Sequence, residues 1–332
     1  MEFVTAQLQN LDMISRLRSS TRLAAAAAAG TVVLWASAFV VIRDVGHTFS
    51  PGSMALIRLF VAAVALTALA LVTYRSTAFT RVPRRSLPLV VACGVLWLAG
   101  YTVALNAAEQ HIDAGTAAFL VNLAPLLIAF GAGTFLGEGY PRPLIVGSLV
   151  ALGGLGMIAM GSSGHRDGIG VALCLLAALL YTAGMLIQKV ALRRVDALPT
   201  IWLGSVAGTT VLTPWAPQLI GEFEAASAGA VLGAVYLGVF PTAVGFTLWA
   251  YALSRMNAGR LSATTYAVPP VAVLLSWLFL AEMPTVYGLI GGVVCLAGVA
   301  FSRRSGGARA RTRHRPRAEA AGAEGVPSST GR

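Results

Sequence analysis

The chain has 332 residues, of which 57% are hydrophobic and 11% charged, and its formal net charge is +11. Soluble domains carry about 25% charged residues, so this composition excludes a soluble globular protein. Long continuous apolar blocks exclude a β-barrel, whose strands alternate.

A bilayer-spanning helix needs about 20 apolar residues. By that measure ten spans are predicted, at roughly 23–42, 52–74, 87–108, 114–137, 143–161, 169–189, 199–220, 228–252, 259–281 and 285–302. The fold class is therefore an all-α integral membrane protein. Residues 1–22 read as an N-terminal tail bearing Arg16, Arg18 and Arg22, with translation expected to begin at Met1 or Met13. The first apolar run imitates a signal peptide but has the length of a retained span.

Span 1 carries Trp35. Span 2 carries Arg58, about six residues from one end. An arginine within a span costs about 2.5–3.5 kcal/mol on insertion scales, so it should face protein or water. Its planar fork suits a carboxylate or phosphate; the plainer alternative is a snorkelling or structurally paired arginine. Span 3 adds Tyr101 and Asn106, span 4 Asn122, span 6 Tyr181 and span 9 Tyr266. With Trp35 and Arg58 these are the candidate cavity residues, against the alternative that the amides serve interhelical hydrogen bonds. Trp249 and Tyr251 are expected in the interfacial aromatic belt.

From span 4 onward the chain repeats itself. Residues 114–156 return as 258–300 without a gap: Gly115 matches Gly259, Pro125 matches Pro269, Glu138 matches Glu282 and Gly154 matches Gly298. Upstream, Gly94 matches Gly238 and Ala108 matches Ala252. The chain is a duplication, with five-helix units at 23–161 and 162–302. The prolines remove backbone donors at matching places, which suits helices that kink or rock. Glu138 and Glu282 end the matching spans, where a structural or gating role is expected. Gly147, Gly153, Gly154, Gly291, Gly292 and Gly298 suit close helix packing; such a small-residue face permits a homodimer without requiring one.

Charge sets the predicted topology. With both termini cytoplasmic, 21 of the 24 basic residues fall on the inside or its margins. Arg43 and Arg166 fall outside, and Arg58 lies within a span. This follows the positive-inside rule. Five helices per unit force the second unit to enter from the opposite side. Loop charges agree: residues 109–113 (EQHID) are acidic, and their counterparts 253–257 (LSRMN) are basic. Inverted-topology repeats place substrate sites near the midplane between halves. Residues 303–332 read as a disordered basic cytoplasmic tail, facing lipid headgroups and not nucleic acid.

Several chemistries lack their residues. Cys93, Cys174 and Cys295 are isolated, no His/Cys/acid cluster suggests a metal, and there is no phosphate-binding Gly-Lys-Ser/Thr loop. No cofactor and no enzymatic activity are expected.

Trp35-Ala-Ser-Ala-Phe39, Arg58, the Ala-Gly openings, the proline-bearing helices, Gly137-Glu138, Ala281-Glu282 and the Leu248-Trp249-Ala250-Tyr251-Ala252-Leu253 run resemble the EamA-type family of the drug/metabolite transporter superfamily. The resemblance covers about residues 23–302. It implies ten helices in two inverted five-helix repeats and a cavity lined by helices 1–4 and 6–9, with 5 and 10 peripheral. It also implies alternating access, often for export of amino acids, related metabolites or toxic compounds. Ala36, Ala38 and Arg43 depart from the pattern.

The expectation is an inner-membrane secondary transporter, in a lipid bilayer, that exports small carboxylate-bearing metabolites. The alternatives are a multidrug exporter with an aromatic cavity and, more remotely, a non-transporting scaffold or membrane enzyme.

Overall fold

The structure is a computed structural model that describes residues 2–74, 82–112, 114–160, 167–280 and 285–302. Glu282, the tail 303–332, and the loop arginines Arg75, Arg81 and Arg166 lie outside the described residues. Among the described residues there are helices and no strands.

The helices are α1 (Glu2–Val45), α2 (Pro51–Tyr74), α3 (Arg84–Ala108), α4 (Ala114–Val121 continued by Ala124–Phe135) and α5 (Arg142–Met160). The second half repeats this with α6 (Gly168–Ala191), α7 (Ala197–Leu212), α8 (Ala228–Arg255), α9 (Ala258–Ser262 continued to Leu280) and α10 (Val286–Ser302). Seven of these carry segments long and apolar enough to cross a membrane, and Phe119–Phe135 and Val286–Ser302 are shorter apolar helices. With α7, these correspond to the ten predicted spans. One boundary differs: residues before the first span continue α1 as helix back to Glu2.

Local chemistry explains the starts and breaks. Pro51 opens α2, where a missing N–H costs nothing. Asp167 caps α6 by accepting from the Ile169 N–H at 3.3 Å, and its other oxygen lies 3.0 Å from His111 Nδ1. Ser227 caps α8 through the Ala230 N–H at 3.2 Å. Helix α4 breaks at Asn122–Leu123, and Pro125 sits in the first turn of the piece that resumes. Helix α9 passes through a 3-10 stretch, Ala263–Ala267, just before Pro269.

A second matched pair of irregularities lies in α3 and α8. Both contain π-helical turns, Gly94–Tyr101 and Gly238–Val244, beginning at the two matched glycines. In α8, Pro241 cannot donate to the Leu237 carbonyl, and the Thr242 hydroxyl donates to it instead at 2.7 Å. Both glycines permit backbone approach. A Cβ on Gly94 would lie 2.6 Å from the Cα of Gly204 in α7, and one on Gly238 would lie 3.0 Å from the Arg58 carbonyl in α2.

Helix α5 packs chiefly on α10, and α1 on α8 and α9. A Cβ at Gly154 would meet the Cys295 nitrogen at 2.6 Å, so α5 and α10 touch backbone to backbone. Their glycines face one another within the chain. The main apolar core joins α2, α3, α6, α7 and α8, and the cavity described next opens beside it.

Candidate functional site

Between the broken helices lies a cavity of about 120 Å³. Helix α1 contributes Trp35, Ala38, Phe39 and Ile42; α2 contributes Arg58; α4 contributes Val121 and Asn122 at its break. Helix α3 supplies a stripe of Trp97, Tyr101, Thr102, Leu105, Asn106 and Glu109. The second half adds Tyr181, Phe246, Thr265, Val268 and Pro269. The walls are mostly apolar and the floor is aromatic. Trp97 stacks on Tyr181 with centroids 5.1 Å apart, and Trp35 leans on Trp249 at 4.9 Å. Trp35 is fixed by its Nε1–H, which donates to the Pro241 carbonyl at 3.2 Å. That carbonyl is in the π-helical turn of α8, so the floor is tied to the helix distortion.

Arg58 is the cation among the described lining residues. Its Nε is sealed from solvent and has no hydrogen-bond partner among the described residues. A guanidinium carries five donors and no acceptor. Leaving a buried donor unmet costs about 1–3 kcal/mol, more for a charged group. Such a guanidinium has donors suited to an anion's oxygens.

Glu109 lies just beyond the apolar segment Arg84–Ala108 and lines the same cavity. Burial pushes its carboxyl up to about 7, and Arg58 pulls the other way. Asn106 donates its Nδ2–H to the Pro51 carbonyl at 3.1 Å, which holds the start of α2 while the residue faces the cavity.

Away from Glu109, charged groups grip the α8–α9 link. Glu138, just past α4 and bracketed by Gly137 and Gly139 at φ 70° and 71°, accepts from the Ala258 N–H at 2.8 Å and the Gly259 N–H at 3.2 Å. Both are donors in the first turn of α9, where helices leave N–H groups unmet and favour negative charge. Lys189 of α6 donates to the Leu253 and Met256 carbonyls at the end of α8. The Ser262 hydroxyl donates to the Pro125 carbonyl at 3.3 Å, joining α9 to α4.

Of the seven predicted cavity residues, Arg58, Trp35, Tyr101, Asn106, Asn122 and Tyr181 line this space together. Tyr266 does not. It is fully buried against α4, α5 and α10, beside Ala129, Leu144, Leu155 and Cys295. Successive side chains in a 3-10 turn diverge by about 120°, so with Thr265 facing the cavity Tyr266 turns away. Trp249 is a second correction: it is fully buried against Trp35 and Trp97, not in an interfacial belt. Tyr251 is partly buried, with the Arg255 guanidinium 3.7 Å over its ring. Pro269 lines the cavity, and Pro125 is buried, its carbonyl accepting from Ser262.

Glu109 was missed because it follows the last apolar residue of its span. The spacing of Tyr101, Leu105 and Glu109 at every fourth position could have revealed it.

Comparison with known proteins gives consistent matches. The EamA-like transporter family matches twice, over residues 22–160 and 168–304. A protein named "Probable terminal-alkyne amino-acid exporter" from Streptantibioticus cattleyicolor is 36% identical over 275 residues, covering 82% of this chain and 91% of that protein. An uncharacterized transporter of Bacillus subtilis, YdfC, is 32% identical over 271 residues, covering 81% and 87%. The pseudopaline exporter CntI of Pseudomonas aeruginosa is 26% identical over 240 residues, covering 68% and 78%. A solved crystal structure superposes with a TM-score of 0.70 over 86% of this chain and 97% of that one, at 18% identity, a likeness of fold alone.

Proposed function

As the chain belongs to the EamA-like transporter family, we propose that this multi-pass membrane transporter exports small carboxylate-bearing metabolites, amino acids among them, across the inner membrane by alternating access. The observation that carries this reading is the Arg58 Nε, buried and unpartnered beside a cavity of about 120 Å³. A substrate carboxylate would accept from the guanidinium in a space shielded from water, where such bonds are strong. Drug-sized ligands occupy pockets of about 300–1,000 Å³, so the cavity's volume favours a small metabolite over a bulky drug. A relative named as an amino-acid exporter supports the same class.

In this reading the five-helix units 23–161 and 162–302 are inverted repeats and both termini are cytoplasmic, as the basic loops imply. The Glu109 end of the cavity then faces outward. Glu138 and Lys189, holding the α8–α9 link, close the cytoplasmic end, and their release would open it inward. The breaks at Asn122 and before Pro269 are where α4 and α9 would bend.

The test is growth of an exporter-deficient bacterial host on toxic amino-acid analogues, organic acids and cationic dyes. Wild type and Arg58→Ala are compared at matched membrane expression. Protection against carboxylate-bearing compounds, lost in Arg58→Ala, is expected. Protection against dyes, unchanged in the variant, would overturn the proposal in favour of a multidrug exporter.

A further inference from the structure

The cavity holds a second pole that the carboxylate reading does not use. Glu109 lines it from the end of the α3 stripe whose earlier turns carry Tyr101, Leu105 and Asn106. Arg58 lines it from α2. The two attract one another electrostatically, yet among the described residues they form no ion pair with each other. Two opposite charges in one largely apolar space, held apart by the backbones of different helices, fit a ligand that also carries two opposite charges. The Asn106 bond to Pro51 ties α3 to the start of α2 and so fixes the separation of the two helices at this depth.

Resting on the reading that Arg58 binds a carboxylate, we propose that Glu109 receives the ammonium group of the same substrate, so that the cavity selects a zwitterionic amino acid with an apolar side chain. An ammonium offers three donors to a carboxylate that accepts at two oxygens. The side chain would lie against Phe39, Val121, Phe246 and Val268, which give the cavity its apolar wall. Loss of the ammonium would leave Glu109 facing an apolar ligand. Loss of the carboxylate would leave Arg58 unmet. The site therefore discriminates by both poles.

The experiment is ligand binding to the purified protein at pH 8, read by the fluorescence of the cavity tryptophans Trp35 and Trp97. Three probes are used: leucine with both poles, N-acetyl-leucine with the carboxylate alone, and leucinol with the amine alone. Hydrogen bonds to charged groups are worth about 1.5–3 kcal/mol, so wild type should prefer leucine to either derivative by about tenfold or more. Glu109→Gln should lower leucine affinity about tenfold while leaving N-acetyl-leucine unchanged or tighter. Glu109→Asp, which keeps the charge, should retain part of the preference and guards against a folding artefact. Arg58→Ala should weaken leucine and N-acetyl-leucine alike. An unchanged ratio of leucine to N-acetyl-leucine in Glu109→Gln overturns the role of Glu109 while leaving Arg58 standing. Leucine binding that survives Arg58→Ala removes the carboxylate reading instead. Absence of leucine binding in wild type overturns both.

Discussion

Glu109 and Leu253 occupy matching places in the two halves of the chain, and so do Asn122 and Tyr266. The first of each pair lines the cavity. The second is fully buried in packing, Leu253 in the main core and Tyr266 against α5 and α10. Gly94 lies against Gly204 of α7, and Gly238 lies against Val61 and the Arg58 carbonyl of α2, so the matched glycines meet matching helices. The halves share breaks, π-helical turns and order of elements, but among the described lining residues the charged ones, Arg58 and Glu109, come from the first half. The second half lends the cavity rings, a threonine, a valine and a proline, and it supplies the link that Glu138 and Lys189 hold. Duplication here provides a symmetric frame, and divergence has put the charged residues among the described cavity lining on one side of it.

That comparison is sharpened first at α5 and α10, where both halves contribute only packing. Gly154→Val places side-chain atoms against the Cys295 nitrogen and the Gly291 carbonyl, both 2.6 Å from a Cβ there. Overpacking of this kind typically costs about 1–3 kcal/mol. Thermal unfolding in detergent should show the loss, with the order of ligand preference in the surviving folded protein unchanged. A changed preference would mean that α5 and α10 shape the site.

Next in size is the effect of pH on binding. Glu109, pushed up to about 7, gains a proton as pH falls through that value. The titratable groups that influence it are Arg58 from α2 and Cys174 from α6, with Tyr101 on its own helix. Among the described lining residues, α1 and α9 add no titratable group. The ionised form is the one that receives an ammonium. Leucine affinity should therefore be highest above pH 7 and fall about tenfold by pH 5.5, and Glu109→Gln should flatten the profile. A profile of the same shape in the variant would assign the titration elsewhere.

Smaller again is the closing contact. Glu138→Gln removes the carboxylate that caps α9 across the halves, a loss of about 1 kcal/mol for a helix cap. Amide exchange at Ala258 and Gly259 should quicken about fivefold. Unchanged exchange would show that Glu138 does not hold the link. The smallest effect is expected at Tyr266→Phe, in a residue that points away from the cavity. Ligand preference should move by less than about twofold, and a larger shift would return Tyr266 to the site.

The sequence made much of the frame legible. Matching glycines and prolines exposed the repeat, and the segments of high hydropathy gave the spans. The π-helical turns at Gly94 and Gly238 were not legible, because a π turn differs from an α turn in hydrogen-bond register and not in apolar pattern. For the same reason side-chain facing was read unevenly. In a helix that is apolar all round, nothing in the pattern says which side turns inward. Arg58 and Asn122 stood out as polar residues in apolar runs, whereas Thr265 and Tyr266 differ by one position and only geometry separates them. Glu109 was hidden by its place at the end of an apolar run, where a charge looks like the start of a loop.

The most direct test of the central claim is counterflow of labelled leucine in proteoliposomes containing wild type or Arg58→Ala at equal incorporation. Exchange by wild type is expected, with at least a tenfold loss in the variant, which should still elute as a folded protein. Exchange at the wild-type rate in Arg58→Ala would contradict that claim, and would make that buried guanidinium part of the frame and not of the site.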